Sequence, residues 1–188
     1  MYTAEVKAGE TVVVFGCGGV GMNVVQVASA SGGRVIAVDL SEEKLDLARR
    51  LGARETIHPP SVGDVPKAVR RLSDGGADVA LEAIGKASVL RQAFDSVRTG
   101  GRLVVVGFCA EEMPLPVGRV MFREITMLGS LGCRPVDYPP LIEMVKDGKL
   151  KLKELVTHRF PLERIDDAFE LLRRGESLRS IVLPGSPA

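Results

Sequence analysis

Thr11-Val12-Val13-Val14-Phe15-Gly16-Cys17-Gly18-Gly19-Val20-Gly21 is the stretch that decides the fold. Its first five residues are apolar on both faces, which suits a parallel strand covered on both sides. The next six read G-x-G-x-x-G. Glycine turns are common, so the context supplies the weight. A strand precedes the turn, and the spacing Val20, Val24, Val27, Ala28 after it is helical. Asp39 closes a second strand, Arg34 to Asp39, 18 residues beyond Gly21. That arrangement fits a dinucleotide site. Gly16 allows the tight turn, Gly18 removes a Cβ that would bar a pyrophosphate, and Gly21 lets the helix pack against the strand. The amides of Gly19 and Val20 then face phosphate at a helix N-terminus. Asp39 can accept hydrogen bonds from both adenosine ribose hydroxyls and would repel a 2′-phosphate, which favours NAD(H) over NADP(H). Three other readings use the same short span: glycines that serve packing alone, an S-adenosylmethionine site, and a flavin site.

Outward from the turn, strand and helix patterns alternate. Ser41 is placed to cap a helix carrying Glu42 and Glu43 in its first turn and stopping at Gly52. Thr56-Ile57 reads as a short strand closed by Pro59-Pro60. Val65 to Leu72 reads as a helix capped by Asp64, with Pro66 in its first turn. Ala77 to Ala83 is a strand, Ala87 to Arg98 a helix, Thr99-Gly100-Gly101 a turn, and Leu103 to Gly107 another strand. Repeated strand-helix-strand units predict an α/β fold, a Rossmann doubly wound parallel sheet with right-handed crossovers. After Phe108 the pattern loosens. Cys109 to Gly118 reads as a loop, Ile125 to Leu131 as a last sheet strand, and Pro135, Pro139 and Pro140 as a boundary. A C-terminal helix and strand extension follows, with a helix from Leu141 to Lys146 and a strand from Leu155 to Phe160. Next come an amphipathic helix from Glu163 to Arg174 and a strand from Arg179 to Leu183.

Composition narrows the class. The chain has 188 residues, enough for a core without staples. Its 25 basic and 24 acidic residues give a formal charge of +1, which argues against nucleic acid as the partner. Aromatics are 4% with no Trp, too few for base-stacking platforms. Three scattered cysteines, Cys17, Cys109 and Cys133, indicate neither a disulfide framework nor a zinc ribbon. The N-terminus has no apolar signal core, and the most apolar stretch, Thr11 to Ala30, is broken by glycines and polar residues. No membrane span is expected, and a cytoplasmic location fits best.

The ordered set of motifs is more specific than the turn. Gly9-Glu10-Thr11-Val12-Val13-Val14 leads into the glycines, Asp39 is followed by Lys44, and Leu51-Gly52-Ala53 comes next. Gly76-Ala77-Asp78-Val79 with Glu82, Gly100-Gly101-Arg102-Leu103 to Gly107, and Phe160-Pro161-Leu162-Glu163 to Gly175 complete it. From about Val6 to Leu183 the chain resembles the cofactor-binding half of the medium-chain, zinc-dependent alcohol dehydrogenase family. The resemblance implies an NAD-dependent oxidoreductase that moves hydride between NAD and an alcohol or carbonyl. It implies Lys44 near the adenosine ribose, Leu40 and Ile84 on the two faces of the adenine, the Val106 backbone at the nicotinamide carboxamide, and Arg179 at the pyrophosphate. It divides the chain into a dinucleotide-binding unit, 1–132, and a segment, 133–188, that in the family packs on a catalytic lobe.

That lobe supplies the family's zinc ligands, proton relay and much of the substrate pocket, and it is not represented here. Zinc is therefore expected only in the lobe of a parent enzyme. Cys17, Cys109, Cys133, His58 and His158 show no metal-ligand spacing, so no metal site and no catalytic residue are assigned, and the chain by itself is expected to be inactive. The apolar stretch Ile125 to Leu131 is an unprotected sheet edge, which suggests a homodimer, as does the resemblance. Two further readings stand beside this one. One is a stand-alone dinucleotide-binding or sensing module. The other is a relative of the zinc-free quinone or enoyl reductases, which Asp39 disfavours because those more often take NADP(H).

Overall fold

The computed structural model describes residues 3–185. Strand β1 (Thr11–Phe15) is followed by α1 (Gly19–Ala30), β2 (Arg34–Val38), α2 (Glu42–Arg50) and β3 (Ala53–Ile57). Then come α3 (Pro59–Val62), α4 (Val65–Leu72), β4 (Ala77–Glu82), α5 (Ala87–Ser96) and β5 (Val97–Val105). Helix α6 (Val117–Phe122) and strand β6 (Thr126–Gly129) complete a six-stranded sheet in the order β3-β2-β1-β4-β5-β6. Every pairing is parallel. The fold is therefore the doubly wound α/β architecture expected from the sequence. The chain winds outward from β1 to β3, returns to β4 beside β1, and winds the other way to β6.

The alternation of β1 explains its two-sided apolar sequence. Val12 and Val14 join one core with Met22, Val25 and Ala28 of α1 and Leu45 and Ala48 of α2. Val13 and Phe15 join the other, with Val65, Ala68 and Val69 of α4 and Leu90, Ala93 and Phe94 of α5. Each core strand residue thus buries its side chain under a helix, at roughly 25 cal/mol per Å² of apolar surface.

The extension consists of α7 (Tyr138–Lys146), β7 (His158–Pro161), α8 (Ile165–Arg173) and β8 (Ser180–Leu183), with β7 and β8 forming a separate parallel pair. It also packs on the sheet unit. Leu155 is buried in the α1–α2 core, the Lys151 amide donates to Gln26 Oε1 of α1 at 2.7 Å, and Leu150 is buried. Among the described residues, no helix is long and apolar enough to cross a membrane.

Several expected boundaries move, each for a local reason. Thr99-Gly100-Gly101 is not a turn between elements but a kink inside β5. From Ala77 to Val79 on β4, the partner advances from Val97 to Arg102, and Gly100 at φ +70° absorbs the surplus residues. The short strand at Thr56-Ile57 extends back to Ala53 because β2 offers it a ladder, although Arg54 and Glu55 are exposed. Pro59-Pro60 opens α3 rather than closing a strand, and Pro139 and Pro140 lie in the first turn of α7. There a missing N–H costs nothing. The strand expected from Leu155 begins at His158, because Leu152–Leu155 forms a tight turn that tucks Leu155 into the core. Helix α6 lacks a sequence signal, since it is six residues long and none of them is buried.

Candidate functional site

The winding reverses between β1 and β4, and ligands of open parallel sheets bind at such a point, beyond the carboxyl ends of the strands. The loops there carry most of the residues singled out in the sequence. Gly16 adopts φ +92°, and its N–H donates to the Val38 carbonyl at 2.8 Å. A Cβ on Gly16 would lie 2.5 Å from Ile84 Cγ1, and one on Gly21 would overlap the Gly16 carbonyl oxygen. Both positions require glycine for close packing, as the motif implies. Gly18 is the N-cap of α1, and no side chain caps the helix there. Open space lies where its Cβ would project. The first N–H groups of α1, at Gly19 and Val20, therefore meet no side-chain cap at Gly18.

Gly19 also meets the extension. A Cβ there would stand 2.8 Å from the Leu178 carbonyl oxygen and 3.5 Å from Arg179 Nη2. The extension thus arches over the first turn of α1 and brings the Arg179 guanidinium beside it. Sequence spacing gives no hint of this contact, which joins positions 160 residues apart in the chain.

Asp39 sits at the rim. Its Oδ2 accepts the Cys17 N–H at 2.7 Å and its Oδ1 accepts the Ser41 N–H at 2.9 Å. Each oxygen keeps a second lone pair for a hydroxyl donor. The carboxylate therefore links the glycine turn to the start of α2, where Ser41 Oγ accepts the Lys44 N–H at 3.3 Å. Lys44 Nζ is not free beside Asp39, because it donates to the Gly175 carbonyl at 3.0 Å. Leu40 is 71% exposed and Ile84 45% exposed. They follow β2 and β4, which flank β1 on either side, so their backbones start roughly 10 Å apart, two strand spacings. His58, given no role in the sequence, braces Leu40: its Nε2 bonds the Leu40 carbonyl at 3.0 Å and its Nδ1 meets Ser61 Oγ at 2.9 Å. The Val106 N–H is taken by the Glu82 carbonyl at 2.9 Å, and no bond to the Val106 carbonyl is made among the described residues.

Cys17 lies inside the turn but is chemically quiet. Burial first, and then the Asp39 carboxylate, push its thiol up to about 12 against the opposing pull of Lys44. Among the described residues, no group of three or more His, Cys, Asp or Glu side chains could hold a metal ion. These residues do not fit a catalytic zinc. A cavity of about 390 Å³ between α4, α5 and α6 lies apart from this site and is lined by Arg70, Arg119 and Arg123 with Asp64 and Asp95. Its arginines clamp the C-terminal end of α5. Arg70 donates to the Asp95 carbonyl at 2.8 Å, Arg119 to Asp95 Oδ1 at 2.5 Å, and Arg123 to the Val97 carbonyl.

A doubly wound parallel sheet with a glycine cradle at its switch point defines a Rossmann-type α/β protein. The family described as zinc-binding dehydrogenase matches residues 19–147, and the chain belongs to it. The chain is 35% identical over 187 residues to alcohol dehydrogenase-like 2 of Arabidopsis thaliana, covering 95% of this chain and 48% of that protein. It is 34% identical over 193 residues to an S-(hydroxymethyl)glutathione dehydrogenase of Photobacterium damsela subsp. piscicida, covering 96% and 51%. Among solved structures it superposes on 2R,3R-butanediol dehydrogenase from Bacillus subtilis with a TM-score of 0.90 at 30% identity, covering 98% of this chain and 53% of that one. The chain therefore spans about half the length of the curated relatives it matches. At the level of the domain it is alcohol dehydrogenase-like, of the medium-chain oxidoreductase family.

Proposed function

We propose that this chain is the NAD(H)-binding portion of a medium-chain alcohol dehydrogenase-like oxidoreductase. The observation that carries the reading is the grouping at the end of β1. An uncapped helix N-terminus opens above Gly18, the Arg179 guanidinium lies beside Gly19, and the Asp39 carboxylate is fixed at the rim. Helix amides and guanidinium suit a pyrophosphate, and the carboxylate suits a ribose diol. Leu40 and Ile84 offer exposed apolar faces for the adenine, and the Val106 carbonyl can accept from a carboxamide N–H. Lys44 is a lesser contributor, since one of its N–H groups ties α2 to the extension.

NAD would supply hydride chemistry once bound, and these residues orient it. Among the described residues no group of three or more His, Cys, Asp or Glu side chains could hold a Lewis-acidic metal, so no substrate-polarising residue is assigned here. The proposed activity of a whole enzyme is hydride exchange between NAD and an alcohol or carbonyl. We propose further that two copies pair edge to edge at β6, whose outer side is unpaired among the described residues and which is followed by a fully exposed Leu131.

The test is an NADH fluorescence titration of the chain, beside a panel of alcohols, aldehydes, quinones and enones. Saturable binding without turnover is the expected result. Steady NADH oxidation in proportion to protein would place the catalytic groups within these residues and overturn the division of labour.

A further inference from the structure

Glu82 ends β4 and is fully buried, a carboxylate in a strand otherwise rich in Ala, Val and Leu. A buried carboxylate is costly unless hydrogen bonds hold it. Its Oε1 accepts two backbone N–H groups, from Ile84 at 2.9 Å and Gly85 at 2.8 Å. Its backbone carbonyl accepts two more, from Val106 and Gly107, each at 2.9 Å. One residue thus holds the turn after β4 with its side chain and the turn after β5 with its main chain.

The second oxygen, Oε2, is buried and has no hydrogen-bond partner among the described residues. It lies 2.8 Å from the place a Cβ on Gly107 would occupy, so it restricts that position to glycine. The two turns meet there. A Cβ on Gly107 would overlap the Gly85 amide nitrogen, and one on Gly85 would overlap the Phe108 carbonyl. Ile84 in turn leans on Gly16, so the contacts of Glu82 run on to the glycine turn. Leucine would fill the same volume without losing hydration, so packing alone does not call for a carboxylate here. Two inward-pointing N–H groups of a tight turn do call for an acceptor.

We propose that Glu82 is a positioning residue of the dinucleotide cleft. Its carboxylate sets the Ile84 turn and its carbonyl sets the Val106 turn, two walls of one site, and it touches no ligand itself. The inference rests on the NAD(H) reading above, but the turn geometry can be tested without cofactor.

Two readouts are taken on the whole chain: NADH affinity, and hydrogen exchange at the Ile84 and Gly85 amides. Glu82→Leu should weaken NADH binding by about tenfold or more and strip protection from both amides. Glu82→Gln, which keeps an oxygen for both N–H groups, should stay within about threefold and retain protection. Val79→Ala, in the same strand, should lower the melting temperature while leaving affinity within about threefold. If Glu82→Leu fails to fold, Glu82→Asp takes its place, since it keeps a carboxyl group but falls one methylene short of the turn. Normal affinity and exchange in Glu82→Leu, or in the Asp variant that replaces it, would overturn the proposal. So would an affinity loss in Val79→Ala matching theirs. If the unmutated chain takes up no NADH, the functional reading fails while amide exchange still decides the role of Glu82.

Discussion

Replacing Asp39 by Ala removes one carboxylate with two duties, and the structure allows their sizes to be separated. Its first duty is structural, the bonds to the Cys17 and Ser41 amides at 2.7 and 2.9 Å. A hydrogen bond to a charged group contributes about 1.5–3 kcal/mol, and water reaching this half-buried site replaces part of that. A net loss of about 2 kcal/mol corresponds to a fall in Tm of roughly 4–8 °C for a chain of this size. The second duty, under the NAD(H)-binding proposal, is recognition. Losing the ribose acceptor should weaken NAD(H) by about 10- to 100-fold, while NADP(H), freed from like-charge repulsion, should hold its affinity or gain. Calorimetric titration of both cofactors, with a thermal melt of each protein, measures both effects. Asp39→Asn separates them further: it keeps an acceptor for one of the two amides and turns an NH2 group toward the other, so about half of the Tm loss should return while selectivity stays lost. Equal affinities for NAD(H) and NADP(H) in the unmutated chain would refute the reasoning. An unchanged ratio in Asp39→Ala despite a lower Tm would do the same.

Other outcomes follow from the same structure. Burial opposes ionisation of Asp78, but the Thr11 N–H at 2.7 Å and the Arg98 guanidinium at 2.6 Å outweigh it and hold the carboxyl below its ordinary value. Because the folded value lies below the unfolded one, this stabilisation is present above about pH 4 and is lost as pH falls through the folded value. Asp78→Asn should therefore flatten the acid limb of Tm against pH; parallel limbs for the two proteins would contradict it. Cys17 should resist thiol reagents at pH 8 until the chain is denatured, while the exposed Cys133 reacts in the folded state. Modification of Cys17 in the folded chain at the rate of Cys133 would count against the buried turn. Met127→Lys with Leu131→Lys should give monomers in sedimentation analysis, and a monomeric unmutated protein at high concentration would end the edge-pairing proposal.

What the sequence made legible was local and periodic. Strand β1 coincides with its apolar run, and the caps Ser41 and Asp64 stand where their side chains accept the N–H groups of Lys44 and Lys67. The glycine turn could be read because Gly16 and Gly21 answer steric demands of the same short motif. The contacts made by the extension were hidden. Lys44 reaching Gly175, and Leu178 arching over Gly19, join positions with no common spacing. Glu82 was visible only as one letter of a family pattern, since the two turns it holds come from different loops. The kink in β5 escaped for a related reason. Gly100-Gly101 carries a turn signal, and only pairing with β4 keeps the chain extended through it.

The most direct measurement follows the backbone amides of the isotope-labelled chain by NMR during titration with NADH. One-to-one saturable shifts are expected at Gly18, Gly19 and Val20, with further shifts at Ile84, Val106 and Arg179. An amide map that does not change up to millimolar NADH, or one that changes only around Arg70, Arg119 and Arg123, would contradict a dinucleotide cleft at the end of β1.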